Sequence, residues 1–151
     1  MRQQVFHDFD EFAESVRDID ARMVLVNPQQ HVWTSSSAEI EGIDLQMGWL
    51  GSGNLAHAGL RQGYYLCYLP TTPGIEYKAS GVVVKINTFA IIKPGSEFCM
   101  ATKDPHNWCA AFVPEKLLGE LPVHDHSSSG SSTCWVSRPT RDAAIQFRTL
   151  V

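Results

Sequence analysis

Residues 40–50 carry the clearest pattern in the chain, an alternation of apolar and polar positions. A period of two places successive side chains on opposite faces of a β-strand. The apolar face holds Ile43, Leu45, Met47 and Trp49. Residues 51–54, Gly-Ser-Gly-Asn, predict a hairpin turn, and residues 55–60 return from it as a second strand.

Residues 82–100 contain three short apolar runs that turn residues interrupt at 87–88 and at Pro94-Gly95. Pro lacks a backbone N–H and Gly accepts a positive φ, so Pro94-Gly95 predicts a chain reversal. The runs are 82–86, 89–92 and 97–100; further strands are predicted at 23–26, 63–69 and 109–113, with loops at 35–37 and 104–108. Short strands that turn this often predict a mainly β fold, a closed or double-sheet barrel with a pocket at its centre or mouth.

A helix is predicted before the first strand. Phe9, Phe12, Val16 and Ile19 follow one another at spacings of three, four and three, which form one helical stripe. Asp8 precedes this stripe as a candidate N-cap, and Glu11 follows three residues later as in a capping box. We therefore expect a helix over residues 8–19 that packs its Phe face on the barrel.

The character of the chain changes after Pro114. Residues 115–118 predict one helical turn, and the serine-rich segment 123–137 predicts a polar loop or linker. Apolar positions in 139–151 predict an amphipathic helix; they are Ala143, Ala144, Phe147, Leu150 and Val151. This helix reaches the last residue without a capping Gly, so we expect the natural protein to continue beyond it.

Composition and charge narrow the functional classes. The chain has 151 residues, enough for one domain, and 16 acidic against 12 basic residues give a net charge of −4. Without a Lys/Arg cluster, no surface for nucleic-acid phosphates is expected in this segment. The N-terminus does not resemble a signal peptide and no apolar run could cross a bilayer, so a cytoplasmic chain without a membrane partner is expected. The four cysteines lack CxxC spacing, which predicts free thiols.

The order and spacing of several segments resemble a known family. The segments are 8–23, the hairpin 47–53, the turn 92–98, and 105–108 leading into 112–114. Over residues 5–114 the chain resembles the N-terminal effector-sensing domain of AraC-family transcription regulators, which are bacterial proteins.

The resemblance implies a cupin-like double-stranded β-helix, a jelly-roll barrel, in residues 1–122, with an N-terminal helix and C-terminal helices. It implies a small-molecule effector, a homodimer formed through the helix that starts in 138–151, and DNA binding by helix-turn-helix motifs beyond this chain. The subgroup that the chain resembles regulates amine-catabolism operons, as transcription activators.

Metal chemistry is not expected in the barrel. Cupin-type enzymes hold a metal with a His-x-His pair on one strand, a further His and a carboxylate. The candidate strand offers only His57, and the position after Pro94-Gly95 holds Glu97. His124-Asp125-His126 could join Cys134 or His106 at a metal, but its polar surroundings favour a loop. We therefore expect no metal, no cofactor and no enzymatic activity.

Strand alternation assigns the candidate ligand-binding residues to one pocket. They are Trp49, Tyr68, Glu97 and Trp108, with Met47 and Tyr64 on the same strand faces. Buried aromatic rings could hold the body of an effector, and Glu97 could pair with a cationic or hydroxyl group. Packing is the alternative interpretation for each aromatic residue, and solvation is the alternative for Glu97.

Three functions remain open from the sequence. The first is an effector-sensing, dimerising domain of an AraC-type regulator. The second is a small cupin-type metalloenzyme, and the third is a stand-alone ligand-binding barrel.

Overall fold

The computed structural model describes residues 2–86, 88–118 and 134–137. This part of the chain forms twelve strands and two short helices. The strands are β1 (Arg2–Phe6), β2 (Ile19–Val26), β3 (Trp33–Ile40), β4 (Ile43–Leu50), β5 (Gly53–Leu60), β6 (Tyr64–Pro70), β7 (Tyr77–Ala79), β8 (Val82–Val84), β9 (Phe89–Ile92), β10 (Glu97–Thr102), β11 (His106–Pro114) and β12 (Cys134–Ser137). The helices are α1 (Phe9–Ser15) and α2 (Glu115–Leu118).

The strands pair into two antiparallel sheets. The larger sheet has the order β1-β3-β4-β11-β6-β9-β12, and the smaller has the order β2-β5-β10-β7-β8. The prediction of a mainly β, double-sheet fold is confirmed, whereas the cupin-like connectivity stays a prediction. The predicted helical turn at 115–118 is confirmed as α2.

The strand register decides which side chains enter the space between the sheets. From Asn54 onward in β5 the buried positions are Asn54, Ala56, Ala58 and Leu60, and the intervening Leu55 and His57 are exposed. In β11 the residues that join the main core are Trp108, Ala110 and Phe112. Alternate residues of both sheets therefore meet in one core, as two packed layers require.

Helix α1 begins where the sequence predicts and ends earlier. The Asp8 carboxylate accepts hydrogen bonds from the backbone N–H groups of Asp10 at 2.9 Å and Glu11 at 3.1 Å, which confirms the N-cap. The predicted end at residue 19 is wrong, because the helix stops at Ser15 and β2 begins at Ile19. Asp18 has a φ of 66° in the connection, a left-handed value that a continuing helix does not contain.

Three predicted loops contain strands. Residues 106–108 of the predicted loop 104–108 begin β11. Residues 35–37 lie in β3, where Ser36 and Ser37 pair with Met47 and Gln46 of β4. The end of the predicted linker 123–137 forms β12, which pairs with β9 and buries Cys134 completely. In β3, pairing with β1 and β4 outweighs the weak strand preference of the serines, whereas β12 itself carries Trp135 and Val136, which favour strands. The predicted helix at 139–151 and the His124-Asp125-His126 motif lie outside the described residues.

The four cysteines are free, as the spacing predicted. Burial raises the pKa of the Cys67 and Cys134 thiols to about 11 and that of Cys109 to about 12. Cys99 is exposed on the outer face of β10. No helix in the described ranges is long and apolar enough to cross a membrane.

Candidate functional site

A cavity of about 70 Å³ lies between the two sheets. Its wall is mainly aliphatic and aromatic, and helix α1 contributes Phe12 to it. The apolar residues that line it are Phe12, Val16, Ile19, Met23, Leu50, Ala56, Ala58, Leu66, Phe98, Met100, Trp108, Ala110 and Phe112. Protein interiors are otherwise close-packed, so a space of this size in the core marks a candidate binding site.

Alanine side chains explain why the cavity exists. Ala56 and Ala58 occupy inward positions of β5 in the smaller sheet, and Ala110 occupies an inward position of β11 in the larger one. A methyl group fills much less of the inter-sheet space than the Leu or Ile that usually holds such positions. The opposing strands therefore enclose a space that their side chains do not fill.

Three polar residues enter the cavity wall from strand ends that share one end of the barrel. Asn54 lies near the start of β5, Thr102 ends β10, and His106 begins β11. The Thr102 hydroxyl accepts a hydrogen bond from the Asn54 backbone N–H at 3.1 Å and donates to the Asn54 Oδ1 at 3.0 Å. We call Asn54, Thr102 and His106 the polar end of the cavity.

The hydrogen bond of His106 fixes which of its ring nitrogens carries a proton. His106 is buried, and its Nδ1 lies 2.8 Å from the backbone carbonyl oxygen of Asp104. A carbonyl oxygen only accepts, so Nδ1 carries the hydrogen and donates it. Burial lowers the pKa of the His106 imidazole, with an opposing contribution from Asp104. The neutral ring therefore leaves Nε2 as an acceptor.

Tyr68 brings a hydroxyl group to the same cavity. Burial raises the pKa of Tyr68 well above its ordinary value, with smaller contributions from Tyr77 and Cys109. The side chain nevertheless keeps accessible surface, which is consistent with a ring that borders the internal space. The Tyr77 ring contacts both Tyr68, at 6.1 Å between centroids, and His106, at 5.1 Å. Tyr77 in turn donates its hydroxyl hydrogen to the Asn107 carbonyl at 3.1 Å.

Trp108 packs between helix α1 and β4. Its ring meets Phe12 edge-on at 6.4 Å between centroids, and its exposed fraction is 7%. The Trp108 Nε1 is buried and makes no hydrogen bond with the described part of the chain. A Cβ on Gly48 would lie 3.1 Å from this nitrogen, so the missing side chain of Gly48 makes room for the indole ring.

Gln46 holds the connection between α1 and β2 against the larger sheet. Its amide is buried; Oε1 accepts from the Arg17 N–H at 3.1 Å, and Nε2 donates to the Arg17 carbonyl at 3.3 Å. The Nε2 group also donates to Asp44 at 3.0 Å. This side chain thus pairs with a backbone segment as a neighbouring strand would, and it positions Val16 and Ile19 in the cavity wall.

The six predicted ligand-binding residues lie in different places. Tyr68 and Trp108 line the cavity. Met47 and Trp49 lie on the opposite face of β4, because they pair with Cys109 and Asn107 whereas the cavity-lining residues of β11 are the alternate ones. The alternation correctly separated the faces of the strand, but the face that was expected to be inward is the outer one.

Glu97 and Tyr64 are also outside the cavity. The Glu97 carboxylate lies 4.0 Å from His57 Nε2 on the outer face of the smaller sheet, and its side chain is 81% exposed. Tyr64 lines a separate groove of about 630 Å³ together with charged residues such as Arg17, Asp44 and Lys116. The structure therefore does not bring the predicted set together around one ligand.

The sequence interpretation missed the polar end and the alanines. A signal for the alanines exists in residues 53–60, where small residues alternate with Leu55 and His57. Small side chains on the inward face of a strand indicate close approach or open space. His106 lies within the segment 104–108 that the sequence presents as a loop and Thr102 lies just before it, so neither carries a comparable signal.

Metal ligands do not converge in the described ranges. No group of three His, Cys, Asp or Glu side chains there is arranged to hold a metal ion.

Comparisons with known proteins give one informative result. No known family profile matches the chain, and no curated protein matches it. A solved structure with a similar fold is the crystal structure of the AraC-like transcriptional activator CuxR, at a TM-score of 0.56 and 11% sequence identity. The similarity covers 78% of this chain and 48% of the CuxR chain, so this chain spans about half of that protein. At this identity the likeness shows a shared fold.

Proposed function

We propose that this chain is the small-molecule-sensing domain of an AraC-type transcription regulator. The observation that carries the proposal is the cavity between the sheets, whose apolar wall ends in a few polar groups. The fold shared with an AraC-like transcriptional activator supports the regulatory context.

The cavity wall suggests how a signal would leave the site. Phe12, Val16 and Ile19 belong to α1, to its connection with β2 and to β2 itself, and all three line the cavity. A ligand can change a protein's behaviour only by binding one arrangement better than another. We propose that an occupied cavity favours one position of the α1–β2 segment, which Gln46 holds to β4 when the segment is docked.

Dimerisation and DNA binding complete the proposal. We place dimerisation in the segment from 138 to 151, after the barrel of residues 1–122 and the segment 123–137, and DNA binding in a part of the protein beyond this chain. Removal of residues 139–151 should convert a dimer into a monomer, as measured by light scattering. A dimer that persists without these residues would move the interface elsewhere.

The amine preference of the resembling subgroup is not carried into this proposal. That preference was implied by the resemblance, and Glu97, the residue predicted to pair with a cationic or hydroxyl group, lies on the outer face beside His57. The residues that line the cavity are uncharged in their ordinary states apart from His106, whose pKa is lowered by burial.

Filling the cavity tests the sensing function. Ala58→Leu places a larger side chain in the space, whereas Ala101→Leu adds the same atoms on the outward side of neighbouring β10. A thermal-shift screen of small organic compounds should give hits with the wild type and Ala101→Leu that Ala58→Leu loses. Hits that Ala58→Leu retains would place binding outside the cavity.

Two measurements address the other functions. Stoichiometric iron, manganese or zinc in the purified chain would favour a cupin-type enzyme. The reading frame after residue 151 should encode two helix-turn-helix segments with a basic recognition helix. A frame without them would favour a stand-alone ligand-binding barrel.

A further inference from the structure

The side chains around the cavity restrict the charge of its occupant. The lining residues include neither Asp and Glu nor Lys and Arg. A formal charge that leaves water without a paired partner loses far more solvation than an apolar wall returns. An ammonium group would find no carboxylate in this wall, and a carboxylate would find no lysine or arginine. An uncharged occupant fits this wall.

The polar end offers one acceptor to that occupant. His106 donates its Nδ1 hydrogen to the Asp104 carbonyl, so its Nε2 presents a lone pair. Because His106 lines the cavity, this lone pair favours an occupant that brings a hydrogen-bond donor.

The polar end also offers one donor. The Thr102 hydroxyl accepts from the Asn54 backbone N–H, so its own hydrogen goes to the Asn54 Oδ1. The Nδ2 group of Asn54 therefore keeps both hydrogens for another acceptor, and Asn54 lines the cavity. A hydroxyl group is the smallest neutral group that can donate to His106 and accept from Asn54.

The cavity volume limits the size of the occupant. A closed cavity of about 150 Å³ holds benzene, so a volume of 70 Å³ by itself admits a few non-hydrogen atoms. The space is partly open, so a short alcohol fits within it and a monocyclic phenol would extend toward the opening.

We propose that the effector is a small, uncharged phenol or alcohol whose hydroxyl lies at the polar end, between His106 and Asn54, with its carbon skeleton against Ala58, Ala110 and Trp108. This inference rests on the proposed function, because it assumes that the cavity holds the effector.

Four compounds of similar size separate the head-group chemistries. All four contain one six-membered aromatic ring. Near pH 7 phenol is neutral and carries a hydroxyl group, and toluene is neutral without one. Benzylamine is cationic and benzoate is anionic at that pH. Isothermal titration calorimetry of the full chain should show that phenol binds about tenfold more tightly than toluene, the difference expected from one buried hydrogen bond. Benzylamine and benzoate should bind at least about a hundredfold more weakly than phenol, because each would bury an unpaired charge.

A variant of His106 assigns the hydroxyl to the polar end. His106→Asn keeps a donor near the position of Nδ1 and removes the Nε2 acceptor, so the preference for phenol over toluene should fall from about tenfold to about twofold. His57→Asn, on the outer face, is the matched control and should keep the full preference. If His106→Asn does not fold, the comparison of the four compounds in the wild type still tests whether the occupant is an uncharged hydroxyl compound.

The outcomes separate this inference from the sensing function. Toluene binding as tightly as phenol, or tighter binding of benzylamine or benzoate, would overturn the hydroxyl proposal and leave a ligand-binding cavity. The same holds if His106→Asn folds and keeps the wild-type preference. If no compound binds at millimolar concentration and the compound screen also gives no hit that Ala58→Leu loses, both proposals fail.

Discussion

Single residues shape the cavity mainly through the small size of their side chains or through the hydrogen bonds that they make. The alanines of β5 and β11 keep the cavity open, and Gly48 gives the Trp108 ring its place. His106 presents an acceptor because a backbone carbonyl holds its other nitrogen. None of these roles depends on a charge, which distinguishes the cavity from the charged groove beside Tyr64.

Gly48→Ala should lower the free energy of unfolding. The added Cβ would lie 1.8 Å from the Thr34 carbonyl oxygen and 3.1 Å from Trp108 Nε1, so the β3 backbone must shift. Overpacking of this kind costs about 1–3 kcal/mol and sometimes more, measurable by urea unfolding. Gly59→Ala, whose Cβ meets nothing within 4 Å, should leave stability unchanged or slightly higher. Equal effects of the two substitutions would contradict the packing described for Gly48.

Stability should fall as the pH drops below about 6.5, the ordinary pKa of histidine. Burial lowers the pKa of His106 in the folded chain, so the unfolded chain takes up a proton first and protonation favours unfolding. Above this pH both states are neutral and the effect vanishes. Each unit by which the pKa is lowered corresponds to about 1.4 kcal/mol.

Unfolding free energies at pH 7 and pH 5.5 check this expectation. His106→Asn should lose less stability between the two pH values than the wild type, because the titrating group is gone. His57→Asn, the same substitution on the outer face, is the matched control. An unchanged pH dependence in His106→Asn would show that other groups cause the slope.

At the scale of elements, the α1–β2 connection forms part of the cavity wall together with strands of both sheets. The connection leaves helix α1 after Ser15, passes Asp18 in a left-handed conformation and enters β2 at Ile19. Gln46 pairs with Arg17 from β4, and the Asp18 carboxylate lies 3.3 Å from the Arg61 guanidinium. Both contacts hold the connection while its apolar residues face the core.

Gln46→Leu should loosen this connection. The substitution leaves the Arg17 N–H and carbonyl without their buried partner, and each unsatisfied group costs about 1–3 kcal/mol. Amide hydrogen exchange should accelerate at residues 16–19 more than in β11. Gln30→Leu, at an exposed position, serves as the control and should exchange like the wild type. Unchanged exchange at residues 16–19 would remove Gln46 from this role.

The same elements show which parts of the fold can be predicted from the sequence. The alternation in β4 and the turns at 51–54 and Pro94-Gly95 identify strands correctly, because period and turn chemistry are local properties. The inward face of β4 was assigned wrongly because that face carries Gln46 and Gly48, whereas the outer face packs Leu45 with Ala111 and Val113. A polar residue that pairs with a distant backbone gives no local signal.

Long-range pairing accounts for the other differences. The serines of β3 become a strand because β1 and β4 flank them, and residues 134–137 become one beside β9. Of the predicted site, Tyr68 and Trp108 reach the cavity, since their strands pass through its wall. His106 reaches it through its register opposite Leu50, and no pattern in residues 104–108 indicates that register.

At the scale of the whole molecule, the two sheets are held together near both of their edges. Helix α1 packs between β1, β2 and β3 at one edge. At the other edge β12 completes the larger sheet, and the Cys134 sulfur lies 4.0 Å from the Ala79 carbonyl of the smaller one. Loss of either edge should open the core to water.

Chains that end at residue 133 and at residue 137 test the contribution of β12. The shorter chain lacks the four residues that pair with β9, including the fully buried Cys134. It should be less stable by at least about 1 kcal/mol in urea unfolding, through exposed apolar surface and lost pairing. It should also aggregate more readily, because the edge of β9 is exposed. Equal stability of the two chains would show that β9 does not need this partner.

The distribution of the thiols has a practical consequence. Cys99 is exposed, whereas burial keeps Cys109 and Cys134 out of solvent and protonated. A maleimide dye added to the native chain should attach at position 99 first, on the side of the smaller sheet that faces away from the cavity. Cys109 and Cys134 become reactive only when the structure around them opens, so the rate at which the dye attaches to these two thiols would report how often it opens.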